Sequence, residues 1–417
     1  MTRVVLCLAA FLLLFLPASH LEASGDEPGS AVRPATADPS KASPSKKTVE
    51  TNAEAAALVD VASGRILFSK QGEKRMRIAS TTKIMTAIIA IEYGHLSDKV
   101  TVSKNAFGKE GSSIYLKLGE EMSLNDLLYG LMLRSGNDAA TAISEHVGGS
   151  QDGFVYLMNR KAEELGMSGS HFANPSGLDA NDHYSTANDM VRLAAYALKN
   201  STFREIVKTK SKRVSREDEP WDTVWTNKNK MLTLYPGSDG VKTGFTQLSR
   251  RCLVSSATRN GQQLAAVTLN DGSDWADHSR MLDYGFQNYP QQTIVKKGES
   301  LGGLFVAAEA FTYPLTEEEL DAVQRKVIAA DPKSADYRLG ERGNLLLLLN
   351  GETIGKVRIT VQAKTDGGKG AASGSISSLQ LGGAGLSNSV KKEDWIHKWT
   401  LAFRQVWSGL IPGEKRG

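Results

Sequence analysis

The chain has 417 residues, of which 41% are hydrophobic and 23% are charged, so it can bury a core and is too long for a peptide or a single small binding module. Lysine and arginine number 50 against 46 aspartates and glutamates, a net charge of +4. So mild an excess does not favour nucleic acid as a partner, because phosphate-binding proteins concentrate basic charge on one face.

Residues 1–23 have the pattern of a secretory signal peptide. Arg3 precedes an apolar run over residues 4–16, which is followed by Pro17 and by an end at the small residue Ala23. Because the run is too short to cross a bilayer as a helix, it indicates export rather than a membrane span. Residues 24–50 are rich in Pro, Ser, Ala and Lys, which predicts an extended tether. Export would leave Cys252 as the single cysteine, so no internal disulfide is expected.

The folded part begins with a predicted hairpin and continues with helices. Apolar residues in 55–70 are interrupted by Ser63-Gly64, which indicates two strands and a turn. A helix is predicted over residues 80–93, where apolar residues recur at helical spacing and Gly94 marks the end. These periodicities predict a helical lobe, whose further helices fall in residues 124–133, 139–147, 153–165 and 187–198.

Strand patterns return in the second half of the chain. Residues 252–258 and 263–270 are separated by Arg259-Asn260-Gly261, which is typical of a hairpin turn. Residues 51–290 are therefore predicted to form a mixed α/β domain, an antiparallel sheet flanked by helices with the helical lobe beside it. Short β-type runs in residues 291–364 predict a small all-β domain.

The C-terminal part has two distinct compositions. Residues 365–390 are dominated by Gly, Ser and Ala, which predicts a flexible linker. In residues 391–417, tryptophan and other apolar side chains recur at spacings of three and four, with lysine and arginine between them. That pattern is typical of an amphipathic helix lying in a membrane interface. Packing of the same stripe against another protein is the alternative.

Three short polar motifs are the candidates for chemistry, namely Ser80-Thr81-Thr82-Lys83, Ser135-Gly136-Asn137 and Lys242-Thr243-Gly244. Ser80 and Lys83 are one helical turn apart on one face, within side-chain reach of each other. A serine hydroxyl attacks only when a base takes its proton, and a lysine amine is that base only when it is neutral. Burial and a second cation both lower a lysine pKa, and Lys242 is the candidate second cation.

The other two motifs have predicted supporting roles. The second lies between predicted helices, so a loop can direct Ser135 at the amine and Asn137 at a substrate amide. The third precedes a predicted strand, where Lys242 and Thr243 can meet a carboxylate and Gly244 admits substrate backbone. Taken singly, each motif also suits a helix cap, a solvated lysine or a surface turn.

The three motifs in this order resemble the penicillin-recognising serine enzymes. The match extends to the residues around them and is similar to the low-molecular-mass D-alanyl-D-alanine carboxypeptidases. It spans about residues 55 to 363, and the segments that carry it are 78–87, 133–140, 174–178, 183–187 and 239–246. The resemblance implies a β-lactamase/D,D-peptidase-like fold and a serine peptidase that removes the terminal D-alanine from peptidoglycan pentapeptides.

The resemblance also implies a role for each motif residue. Ser80 would attack the carbonyl between the two D-alanines, Lys83 would accept its proton, and Ser135 would relay a proton to the departing D-alanine. Lys242 and Thr243 would hold the carboxylate of that D-alanine. β-Lactam antibiotics would acylate the same serine. No cofactor or metal is implied, and relatives are commonly held at the outer face of the cytoplasmic membrane by a C-terminal amphipathic helix.

The chain both matches and departs from the family around the third motif. Backbone amides of Ser80 and Phe245 would form the oxyanion hole. The Ala-Gly-Tyr that the family usually carries, or a near variant, is replaced by residues that include Arg250 and Arg251, which add charge beside the cleft. Cys252 is predicted to be a buried strand residue.

Two other functions stay open at this point. A serine β-lactamase shares the chemistry, but it needs a glutamate in a loop to activate the deacylating water. Glu163 and Glu164 fall in a predicted helix instead. A catalytically idle wall-binding protein would have no need of three intact motifs. A zinc peptidase is excluded, because the seven histidines show no metal-ligand spacing.

Overall fold

The structure is a computed structural model that describes residues 49–216 and 220–361. The predicted signal peptide, most of the predicted tether, the Gly/Ser linker and the C-terminal amphipathic segment lie outside the described residues. Within the described ranges, every helix is too short or too polar to span a bilayer.

The first domain is organised around an antiparallel sheet. Its strands, in chain order, are β1 (Ala55–Asp60), β2 (Ile66–Lys70), β3 (Lys99–Thr101), β4 (Glu121–Ser123), β5 (Ser211–Val214), β6 (Thr223–Thr226), β7 (Ser238–Thr246), β8 (Arg250–Arg259) and β9 (Gln262–Leu269). In the part of the chain that the structure describes, five of them form the central sheet in the order β2-β1-β9-β8-β7, so β7 is an edge strand. The strands β3 and β4, and likewise β5 and β6, pair as separate two-stranded antiparallel sheets.

Helices cover both faces of this sheet. They are α1 (Lys83–Tyr93), α2 (Leu124–Tyr129), α3 (Asn137–Gly148), α4 (Gln151–Glu164), α5 (Ala187–Ala197), α6 (Ser201–Lys208), α7 (Met231–Leu234) and α8 (Asp274–Asn288). Alternate residues of β1 point to opposite faces, as in any strand. Ala57 and Val59 join the core beneath α1 and α5, whereas Leu58 joins the core beneath α8. Burial on both faces explains why β1 is apolar from Ala55 to Val59, before it ends at Asp60.

A second, smaller domain follows α8. Its elements are β10 (Gln291–Val295), β11 (Ser300–Gly302), β12 (Phe305–Ala307), β13 (Phe311–Pro314), α9 (Glu317–Asp321), β14 (Gln324–Ala329), α10 (Ala335–Arg338), β15 (Gly343–Leu349) and β16 (Glu352–Val361). The main sheet runs in the order β11-β12-β16-β15-β14 and has a core of its own. Arg65, after β1, donates to Pro314 O at 2.5 Å and Glu319 Oε1 at 2.6 Å, and so links the two domains.

Most of the predicted elements are present. The first hairpin, the long helices and the β8–β9 hairpin with its Asn260-Gly261 turn are confirmed. The predicted helix over residues 124–133 is α2 followed by a π-helical turn, Gly130–Arg134. One prediction is wrong: the Lys242-Thr243-Gly244 motif does not precede a strand but lies within β7. The helices α6 and α8 were not predicted.

Candidate active site

Ser80 and Lys83 lie where a short 3₁₀ turn, Ala79–Thr82, runs into α1. Lys83 Nζ is 3.2 Å from Ser80 Oγ, which is the contact that their one-turn spacing predicts. The lysine side chain is fully buried, whereas Ser80 lines an open cleft of about 390 Å³. The turn therefore presents a hydroxyl to solvent and keeps an amine beneath it.

The surroundings of Lys83 favour the neutral amine. Its Nζ donates to Asn137 Oδ1 at 2.7 Å and to the carbonyl oxygen of Ser176 at 2.5 Å. Burial lowers its pKa well below 10.5, the positive charges of Lys242 and Lys228 lower the pKa further, and a nearby carboxylate opposes them. The predicted influence of Lys242 on the pKa of Lys83 is therefore present, but it is second to burial.

The second motif borders the same cleft. Ser135 has φ of 67°, the left-handed conformation, between the π-helical turn and α3, and it lines the cleft. Asn137 begins α3, and its Nδ2 donates to Glu110 O at 2.7 Å while its Oδ1 accepts from Lys83. The amide nitrogen has a second hydrogen, so a contact of Asn137 with a substrate amide stays a prediction.

The third motif lies in edge strand β7, against the Ser80 turn. A Cβ added at Gly244 would stand 3.1 Å from Ser80 N, so the glycine allows close packing of strand on turn. Thr243, Gly244 and Phe245 line the cleft. Lys242 is only 1% exposed and its Nζ donates to Thr243 O at 2.8 Å. Burial, assisted by Lys228, lowers the pKa of Lys242 to about 7.

A loop behind the turn holds the backbone that leads into Ser80. Ala79 has φ of 46°, a strained value for a residue with a side chain. His183 Nδ1 accepts from Ala173 N at 3.0 Å, so its Nε2 carries the proton and donates to Thr82 Oγ1 at 2.7 Å. Thr82 Oγ1 in turn donates to Ala79 O at 2.8 Å. Burial lowers the pKa of His183 to about 4, which keeps the ring neutral.

Several cleft residues were not predicted. Lys228 donates to Ser112 Oγ at 3.1 Å, and both residues line the cleft with Asp274 and Trp275 from the start of α8. Cys252 also reaches the lining, but it is 1% exposed and burial raises its pKa to about 12, which agrees with the predicted buried strand residue. No short motif marks the unpredicted residues, because only the fold brings them to the serine.

A serine on a strained turn, above a buried lysine and beside an edge strand, defines an active-serine enzyme. The chain belongs to the Peptidase S11 family, described as D-alanyl-D-alanine carboxypeptidase, whose profile matches residues 40–273. This confirms the predicted family and its class of serine peptidase.

Named relatives agree with this assignment. The D-alanyl-D-alanine carboxypeptidase DacF of Bacillus subtilis is 33% identical over 344 residues, which are 77% of this chain and 88% of that protein. DacC of Escherichia coli is 31% identical over 346 residues, 77% of this chain and 84% of that protein. The solved penicillin binding protein 5 of Haemophilus influenzae has a TM-score of 0.64 and 25% identity, covering 76% of this chain and 98% of that chain. The predicted mixed α/β fold with a small C-terminal β domain is confirmed.

Proposed function

We propose that this enzyme removes the terminal D-alanine of peptidoglycan pentapeptides through an acyl-enzyme on Ser80. The observation that carries the proposal is the hydrogen bonding of Lys83. Its two shortest bonds go to Asn137 Oδ1 and Ser176 O, neither of which can donate. These two bonds use both hydrogens of a neutral amine, so its lone pair is left for the Ser80 hydroxyl at 3.2 Å.

The steps follow from this arrangement. Ser80 Oγ attacks the carbonyl carbon between the two D-alanines while its proton passes to Lys83 Nζ. The amides of Ser80 and Phe245 receive the negative oxygen; removal of one such donor typically costs about 10²–10³ in rate. The C–N bond then breaks as Ser135 relays the proton held by Lys83 to the departing amine, and water hydrolyses the remaining ester, which restores the Ser80 hydroxyl.

The departing D-alanine carries a carboxylate, for which the β7 side of the cleft provides polar groups. Thr243 lines the cleft there, and Lys242 stands behind it. With its Nζ on Thr243 O, Lys242 adds positive charge near both the carboxylate and Lys83 without direct contact with the ligand. β-Lactams carry a carboxylate in a comparable position, so the same groups serve acylation by penicillin.

The decisive experiment combines D-alanine release with mass spectrometry. The wild type should release D-alanine from diacetyl-L-Lys-D-Ala-D-Ala and gain one penicilloyl group on the peptide that contains Ser80. Ser80→Ala should lose both properties, because the attacking oxygen is gone. Adduct on another residue would contradict the proposal, and the absence of both D-alanine release and adduct in a folded wild type would favour the idle wall-binding protein.

A β-lactamase is the second candidate, and the cleft argues against it. Among the described residues that line the cleft, the carboxylate is that of Asp274, and it is bound by Arg251 rather than poised over Ser80. Glu163 and Glu164 lie in α4. Rapid turnover of benzylpenicillin, in place of a long-lived adduct, would support the β-lactamase.

We further propose export and attachment to the outer face of the cytoplasmic membrane, near the cell wall. The supports are the signal-peptide pattern of residues 1–23 and the tryptophan-rich amphipathic pattern of residues 391–417. Ending the chain after Gly367 should abolish sedimentation with lipid vesicles and leave the rate of D-alanine release unchanged. The anchor idea fails if the shortened enzyme still sediments with vesicles as the full chain does.

A further inference from the structure

Arg251 occupies a prominent position in the cleft wall. In the register of β7 and β8 it stands directly opposite Phe245, with Thr243 two residues along the neighbouring strand. Side chains in these positions project from the same face of a sheet, and such diagonal neighbours lie about 7–8 Å apart. Arg251, Thr243 and Phe245 all line the cleft that holds Ser80.

The guanidinium of Arg251 is held in one orientation. Its Nε donates to Asp274 Oδ2 at 3.0 Å and its Nη2 to Asp274 Oδ1 at 2.5 Å, while its Cζ lies over the Trp275 ring, 5.5 Å from the ring centre. The Asp274 side chain is 5% exposed but that of Arg251 is 43% exposed. Asp274 takes two of the five guanidinium N–H groups, which within the described part of the chain leaves three that can face the cleft.

The lysines around the serine are less suited to bind an anion. Lys242 and Lys83 are buried, and the Nζ of each is already directed at groups of the protein. Burial lowers the pKa of both amines, and also that of Lys228. A guanidinium stays charged at any pH an enzyme meets, and its planar N–H groups match a carboxylate in geometry.

We infer that Arg251, oriented by Asp274 and Trp275, directly binds the carboxylate one residue beyond the scissile bond, together with the hydroxyl of Thr243. The inference rests on the proposed function and names the group that limits the enzyme to substrates with a free terminal carboxylate. A free carboxylate at that position exists only at a chain end or on a β-lactam, so this contact makes the enzyme an exopeptidase. A peptide that continues past the second D-alanine, or that ends in an amide, has no free carboxylate at this position and cannot form the contact with Arg251.

The experiment compares two peptides on matched variants. The substrates are diacetyl-L-Lys-D-Ala-D-Ala and the same peptide with a C-terminal carboxamide, each measured as kcat/KM. The wild type should prefer the acid. Arg251→Gln should lower kcat/KM for the acid about 10- to 100-fold, the range for losing a hydrogen bond to a charged group, and leave the amide within about twofold. Arg250, the exposed neighbour, provides the control. Arg250→Gln should leave kcat/KM for both substrates, and therefore their ratio, unchanged.

A structural role of Arg251 is distinguished by a second variant. Arg251→Gln leaves the buried carboxylate of Asp274 without its cationic partner. The double variant Arg251→Gln/Asp274→Asn therefore removes that negative charge as well. The inference holds if the double variant regains the midpoint of thermal unfolding of the wild type while its ratio of kcat/KM for the acid to kcat/KM for the amide stays low. It is overturned if the ratio returns to that of the wild type, or if Arg251→Gln lowers both substrates equally or neither. Failure of the wild type to release D-alanine or to acquire penicillin on Ser80 would instead defeat the proposed function.

Discussion

Two lysine amines that lie under one serine differ in what surrounds them. Lys83 has three polar neighbours within 3.2 Å, whereas the Nζ of Lys242 donates to the carbonyl of the next residue in its own strand. Both are buried, so each disfavours a positive charge on the other. The difference in partners supports the proposal that Lys83 exchanges the proton of Ser80, and it suits Lys242 to an electrostatic effect on the pH range of that exchange.

Replacing Lys242 with Gln removes a positive charge beside Lys83 and should therefore raise the pKa of Lys83. The neutral fraction of Lys83 then falls at low pH, and the acid limb of the acylation rate with benzylpenicillin should move to higher pH by about one unit. A pH profile of the second-order acylation constant measures this. Lys230→Gln, an exposed lysine nearby, should leave the limb in place. A limb that stays fixed or moves to lower pH in Lys242→Gln would contradict this electrostatic role.

At the scale of elements, the site depends on the packing of edge strand β7 against the Ser80 turn. An added Cβ at Gly244 would lie 3.1 Å from Ala79 Cβ and from the amides of Ser80 and Thr81. None of these atoms is the end of a flexible side chain, so the turn and the strand must separate by a few tenths of an ångström. The Ser80 hydroxyl and the two amides proposed as the oxyanion hole, those of Ser80 and Phe245, then lose their mutual alignment.

Gly244→Ala should therefore lower the rate of acylation of Ser80 by about tenfold, since misplacement by 1 Å can cost about 100-fold. The midpoint of thermal unfolding of Gly244→Ala should change little, because the substitution is at the edge of the cleft rather than in the core. Gly272→Ala is a suitable control, since a Cβ there meets nothing within 4 Å and its φ is not positive. Unchanged acylation in Gly244→Ala would show that strand and turn move independently.

The same elements explain which features the sequence alone could predict. Helix α4 buries one face, on which Phe154, Met158 and Ala162 recur at helical spacing, and this periodicity is visible in the sequence. Strand β7 carries Gly240, Gly244 and several polar residues, so its start is set by pairing with β8 rather than by local preference. Tertiary contact overrides the local pattern there.

The residues of the site also divide into those that the sequence alone could predict and those that it could not. Ser80, Lys83 and Ser135 could be selected from the sequence because the side chains that the proposed reaction uses stand in short motifs. Ser176 could not, because it acts through its backbone carbonyl, which any residue type provides. Asp274, which orients Arg251, lies in a helix that the sequence did not reveal, and a contact between β8 and α8 exists only in the fold.

For the whole molecule, two buried histidines connect the fold to pH. His183 lies behind the Ser80 turn, and His278, in α8, bonds to Ser255 and Thr268 in the sheet. Burial lowers the pKa of His183 to about 4 and that of His278 to about 3, from an ordinary 6.5. The unfolded chain therefore binds more protons than the folded chain below pH 6.5, so both residues reduce stability as the pH falls.

Asp271 has the opposite effect. Burial raises its pKa from 3.8 to about 6, so the folded state takes up a proton first and gains stability as the pH falls from about 6 to 3.8. The net acid dependence of the wild type is thus a difference between opposing contributions. A single histidine variant, compared at two pH values, isolates one of them.

His278→Gln should lose less stability on acidification than the wild type. Since the folded-state pKa of His278 lies below 5, the wild-type histidine costs about 2 kcal/mol between pH 6.5 and 5, at about 1.4 kcal/mol per pKa unit. The variant loses hydrogen bonds at every pH, so the informative quantity is the difference in unfolding free energy between pH 7.5 and pH 5, measured by urea titration. That difference should be about 2 kcal/mol smaller in His278→Gln than in the wild type, and unchanged in His95→Gln, an exposed control. If the wild type and His278→Gln lost equal unfolding free energy between pH 7.5 and pH 5, the buried ring would be taking up its proton without destabilising the fold.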